Sequence, residues 1–143
     1  MIYTELTRKA MKLAYDAHHG AYDKGGMPYI HHPLHLAEQM TTEEETAAAL
    51  LHDVIEDTDI SAEDLISMGF PPRVTEAVVL LTKPLGADYF DYVRRVAENP
   101  IAKKVKLADL MHNSDISRIP DVTETDLARL EKYKKALEIL KNE

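Results

Sequence analysis

The chain has 143 residues, 45% hydrophobic and 29% charged, enough to bury one core and fold as a single domain over 1–143. It has no cysteine, which excludes disulfides and thiolate metal sites, so any metal must be held by histidine or oxygen ligands. A formal charge of −8 excludes nonspecific binding to nucleic acid or an anionic membrane, since both need basic surfaces.

Apolar residues at Leu6, Ala10, Leu13 and Ala17 recur at helical spacing and predict a first helix over 3–19, closed by Gly20. The N-terminal stretch MIYTELTRKAMKLAYDA lacks the layout of a signal peptide, and no apolar run approaches the roughly 20 residues that cross a bilayer. The expectation is a soluble cytoplasmic protein. Gly25, Gly26 and Pro28 interrupt the chain before a helix over 33–40. Thr42 with Glu45 then predicts a capped helix over 43–57. Helices over 62–68, 72–82 and 88–98 are separated by Gly69 with Pro71-Pro72, and by Pro84 with Gly86. Asn99-Pro100 suits the start of a helix over 100–115, and Thr123 with Asp126 opens the last, over 123–142. No alternating strand appears, so the expected fold is an all-α single-domain helical bundle. Amphipathic helices pack between chains by the same rules as within one, which leaves room for a homo-oligomer.

Within AAALLHDVIED at 47–57, the apolar stripe through Ala47, Leu50, Leu51, Val54 and Ile55 is flanked by ionisable groups. His52 with Glu56 and Asp53 with Asp57 form two rows one turn long. A solvated face is the ordinary explanation for acids on a helix. Two further segments bear on it. PYIHHPLHLA at 28–37 places two histidines before a proline, and five of the seven histidines lie between 18 and 35. A histidine at a helix end more often bonds a backbone carbonyl than a metal. In VKLADLMHN at 105–113, Asp109 interrupts an apolar run, shares a face with Asn113 and has Lys106 one turn before it, so a Lys106 salt bridge competes with a functional role. Together the segments supply imidazoles from His32 and His52 and carboxylates from Asp53 and Asp109. This mixed nitrogen and oxygen set suits a divalent metal, Mn²⁺ or Fe²⁺, with Zn²⁺ also able to bind.

The order H…HD…D resembles the HD-domain superfamily of metal-dependent phosphohydrolases, and more closely the hydrolase domains of RelA/SpoT-type proteins and small stand-alone alarmone hydrolases. The words that carry the resemblance are AHHG at 17–20, GGMPYIHHP at 25–33, ALLHDVIEDTD at 49–59 and VKLADLMHN at 105–113. It implies that His32, His52, Asp53 and Asp109 bind the metal, His32 rather than His31 because the ligand directly precedes the proline. Glu56 and Asp57 map onto the branch's acidic pair. One would handle the proton of the attacking water and the other that of the leaving group, with raised pKa values if shielded. Asn113 falls where the family contacts nucleotide, and Arg129 with Tyr133 resembles a late pair lying over it. The implied reaction removes pyrophosphate from the 3′ position of guanosine 3′,5′-bis(diphosphate). Other readings are the same site acting on another nucleotide or small phosphoester, and a metal- or nucleotide-binding module without turnover.

In one place the chain departs from the pattern. Alarmone hydrolases carry an Arg-Lys pair before GxPY, where this chain has Asp23-Lys24. An anion near a polyphosphate opposes binding unless it turns away or is paired. Lys24 and Lys106 are the leading replacement cations, and His18 is expected to steady the loop or a metal ligand. His19, His31, His35 and His112 are read as structural.

Overall fold

The computed structural model describes residues 1–143 and contains nine α-helices and one 3₁₀ turn. Six of its nine α-helices start where a side chain closes free amides of the first turn. Thr4 and Thr42 each form a reciprocal capping box, opening α1 (Glu5–His18) and α3 (Glu43–Leu51). Asn99 accepts from the amides of Ile101 and Ala102 ahead of Pro100 and opens α8 (Pro100–Asn113). Thr123 and Asp126 box the start of α9 (Glu124–Asn142). Between these run α2 (His31–Ala37), α4 (Val54–Asp57), α5 (Ala62–Ser67), α6 (Pro72–Leu81) and α7 (Tyr89–Ala97).

Helix α3 is the axis of the bundle. Residues Thr46 through Leu51 are all buried, so the helix is enclosed on every side rather than along one stripe. Its three alanines let neighbours approach closely, and it packs against α1, α2, α6 and α8. Helix α8 is the second spine, packed on α2, α3, α6, α7 and α9. The core between them is one continuous cluster that includes Leu36, Leu50, Leu51, Val78, Val105 and Leu110.

The expected helix over 43–57 is broken in two. His52 ends α3, and Asp53 sits at φ −104°, ψ 0°, outside helical geometry, before α4 begins. The cause is local: the His52 imidazole Nδ1 donates to the Ala49 carbonyl at 2.7 Å, occupying an acceptor the helical ladder would otherwise use. A short 3₁₀ turn, Ile116–Arg118, was not expected either and lies after α8. Before α2, the loop is tightened by a bridge between Tyr22 and Pro28, with Gly26 at φ +81° completing the turn.

Candidate metal centre and adjoining pocket

Three helices converge on one buried point. The first turn of α2 brings His32, the end of α3 brings His52 with Asp53 following it, and the interior of α8 brings Asp109. One ligand atom each from His32, His52 and Asp109 lies within 4.8 Å of the others, and all three residues are buried. His32 Nε2 is 2.8 Å from Asp109 Oδ1, and His52 Nε2 is 3.0 Å from Asp53 Oδ2 and 3.6 Å from Asp109 Oδ1. His31, next to His32, is exposed.

The donor set fits a cation on a specific observation. Because the Ala49 carbonyl can only accept, His52 must carry its proton on Nδ1, which leaves the neutral ring's lone pair on Nε2. That Nε2 is buried without a hydrogen-bond partner, and it faces two carboxylates. A lone pair aimed at two anions is repulsive unless a proton or a cation lies between them. Without a metal the proton fills this role: burial disfavours the imidazolium, but Asp53 and Asp109 outweigh it and hold His52 well above the usual histidine range. Burial likewise opposes ionisation of Asp53, and His52 and the Tyr29 hydroxyl bring it down to about 2. Asp109 is buried too, but Lys106, His32 and His52 hold it well below the carboxylate range. Two imidazoles and two ionised carboxylates can hold a divalent metal.

Each candidate ligand is held by a second residue. His32 Nδ1 lies 2.7 Å from His112 Nδ1, with the two rings within 4° of coplanar. His112, set low at about 3 by burial and by Arg118 and neighbouring imidazoles, is neutral. Without a metal His32 Nε2–H donates to Asp109 Oδ1 at 2.8 Å; with a cation at Nε2 the proton would move to Nδ1, where His112 Nδ1 can accept it. The Tyr29 hydroxyl donates to Asp53 Oδ2. Asp109 receives Lys106 Nζ at 2.9 Å and Asn113 Nδ2 at 3.1 Å. The salt bridge foreseen for Asp109 therefore forms, while Asp109 also stands in the cluster with His32 and His52.

Glu56 and Asp57 stand on α4, just beyond His52 and Asp53, and both reach solvent. Partial burial and the nearby Asp53 raise both, Asp57 to about 6. Both therefore hold their protons to higher pH than free carboxyls do, as acid–base chemistry at a carboxyl pair requires.

Beside the centre lies a cavity of about 300 Å³. Four of the five expected substrate contacts line it: Lys24, Asn113, Arg129 and Tyr133. Lys24 is ion-paired with Asp126 at 2.9 Å. Lys106 is not in the lining; half-buried, it lies between Asp109 and the Tyr92 ring. Asp23 is turned into its own loop and pairs with Arg118 at 3.1 Å. Buried His18 packs on Tyr29 with ring centroids 4.8 Å apart. Sequence reasoning missed Tyr29, His112 and Arg118. Tyr29, three residues before His32, and His112, three after Asp109, had helical-spacing signals; Arg118 had none.

The pattern of the HD domain family matches residues 10–108. A guanosine-3′,5′-bis(diphosphate) 3′-pyrophosphohydrolase of Borreliella burgdorferi is 32% identical over 139 residues, covering 85% of this chain and 20% of the relative. The bifunctional (p)ppGpp synthase/hydrolase SpoT of Escherichia coli is 37% identical over 122 residues, covering 74% of this chain and 17% of the relative. The chain thus spans a fifth or less of the length of these curated relatives. A solved structure described as a metazoan ortholog of SpoT that hydrolyzes ppGpp superposes with a TM-score of 0.77 at 26% identity, covering 98% of this chain and 88% of that one.

Proposed function

The chain belongs to the HD domain family, and from that premise we propose that it is a metal-dependent phosphohydrolase that removes the 3′-pyrophosphate of guanosine 3′,5′-bis(diphosphate). The observation that carries this reading is the buried, unpartnered His52 Nε2 facing Asp53 and Asp109, which a cation satisfies. His32, His52, Asp53 and Asp109 are the proposed ligands, and Mn²⁺ suits their mixed nitrogen and oxygen donors. A divalent cation supplies two things when bound: water of lowered pKa and polarisation of a phosphoryl oxygen. The continuous core supports treating 1–143 as one unit.

The protein's own residues manage protons and position. Hydrolysis forms a bond from water oxygen to the phosphorus attached to the ribose 3′ oxygen and breaks the bond between those two atoms. Water loses a proton, and the 3′ oxygen gains one. Of Glu56 and Asp57, the ionised member takes the first proton and the protonated member supplies the second. The products are guanosine 5′-diphosphate and pyrophosphate. Asn113 bonds to Asp109 and also borders the cavity, so it joins the ligand set to the nucleotide space. Lys24, Arg129 and Tyr133 line that space from the loop and from α9.

Incubating the Mn²⁺-loaded protein with guanosine 3′,5′-bis(diphosphate) tests the proposal. Release of pyrophosphate, lost in Asp109→Ala, is the expected result; an inert alarmone would sink it. Asp23 in place of the family's arginine favours one second reading, the same site acting on another nucleotide. Orthophosphate or pyrophosphate released from a different member of a nucleotide panel would identify that case.

A further inference from the structure

The Asp23 carboxylate is filled from within its loop. Oδ1 accepts from the amides of Gly25 at 2.8 Å and Met27 at 3.0 Å, and Oδ2 accepts from Arg118 Nη2 at 3.1 Å. Arg118 comes from the 3₁₀ turn beyond α8, and its Nη1 donates to the His112 carbonyl at 2.8 Å. A guanidinium has five N–H donors, so two are committed and the others remain beside the cavity whose wall Arg118 forms. Loop and turn approach so closely that a Cβ at residue 25 would lie 2.3 Å from the Arg118 carbonyl oxygen, which only glycine permits. This latch fixes the guanidinium in advance of any ligand, and a fixed planar fork loses little freedom when it binds phosphate. The loop's other cation, Lys24, is engaged by Asp126.

We propose that Arg118, anchored by Asp23, supplies the cation missing at position 23 and binds the phosphate groups of the nucleotide that are not cleaved. The scissile group must lie at the metal centre, and Tyr29 and Asn113 border both centre and cavity, so the rest of the nucleotide extends toward Arg118 and Arg129. The identity of the nucleotide rests on the alarmone reading; the role of Arg118 is read separately.

The test compares guanosine 3′,5′-bis(diphosphate) with guanosine 3′-diphosphate, which has a free 5′ hydroxyl, as substrates of the Mn²⁺-loaded protein. It also compares GDP with guanosine as ligands by calorimetry. Arg118→Met should raise KM for the bis(diphosphate) by about tenfold, the loss of one charge-assisted hydrogen bond, with kcat and the KM of the 5′-hydroxyl substrate within about twofold. Asp23→Asn should move KM in the same direction by less. Equal effects of Arg118→Met on both substrates, or none, would overturn the assignment. If the wild type cleaves neither compound, the alarmone reading fails. Preference for GDP over guanosine, lost in Arg118→Met, would still uphold Arg118, and a preference unchanged by the variant would reject it. Should Arg118→Met fail to bind Mn²⁺, Asp23→Asn read on the same two ligands decides between these outcomes.

Discussion

Replacing His112 with leucine removes the acceptor for the His32 Nδ1 proton and tests how the metal centre is held in its binding form. The two nitrogens are 2.7 Å apart, and His32 and His112 are only 3% and 7% exposed, so water has little room to take over. His32 then either keeps an unsatisfied buried N–H or shifts its proton to Nε2, where the cation must bind. An unsatisfied buried donor costs about 1–3 kcal/mol, which weakens Mn²⁺ binding by about 5- to 150-fold, overlapping the range of about 10- to 100-fold for lost outer-shell partners. His112→Asn places an amide oxygen near the Nδ1 position and should recover affinity to within about threefold of wild type. Calorimetric titration with Mn²⁺, alongside circular dichroism to show intact helices, reads both variants. Wild-type affinity in His112→Leu would refute the reasoning, as would equal weakness in the two variants.

Tyr29→Phe deletes the hydroxyl that orients Asp53 and should weaken Mn²⁺ binding by about fivefold, the worth of one hydrogen bond, without loss of helix; unchanged affinity counts against it. Asp57 is raised to about 6, so kcat/KM should fall as pH drops through 6 while the acting base becomes protonated. If Asp57 is that base, Asp57→Asn lowers kcat by about 10²–10⁴-fold and removes the acidic limb; if Glu56 is, Glu56→Gln does so, and a limb that survives in both variants excludes the pair. Asp23 is held below its ordinary pKa because the amides of Met27 and Gly25 and the Arg118 guanidinium outweigh burial. Its stabilisation is therefore present above the unfolded pKa of about 3.9 and disappears as pH falls through the lower folded value. Urea unfolding should show Asp23→Asn less stable by about 2 kcal/mol at pH 7, with the gap narrowing as pH falls below the unfolded value of about 3.9; a gap independent of pH would contradict the ion pair.

The helices were legible because their signals are local. Thr42, Asn99 and Thr123 satisfy the amides that follow them whatever the rest of the chain does. His32, His52, Asp53 and Asp109 could be nominated from residue type, since buried histidine and carboxylate on apolar segments require a partner. The break between α3 and α4 could not, because it depends on the His52 ring reaching the Ala49 carbonyl instead of solvent. Nor could the fate of the cations. Lys106 was expected at the substrate but is spent on Asp109, and Arg118 joins Asp23 from 95 residues away. Such pairings are set by which helix ends meet, and hydrophobic periodicity does not encode them.

The central claim is that one divalent cation sits where α2, α3 and α8 meet. Anomalous diffraction at the manganese edge from crystals of the Mn²⁺-loaded protein tests it most directly. The account predicts a single strong peak bounded by His32 Nε2, His52 Nε2, Asp53 and Asp109, at about 2.0–2.3 Å from each donor, with open positions toward Glu56 and Asp57. A peak elsewhere, or none at this junction in metal-saturated crystals, would contradict it.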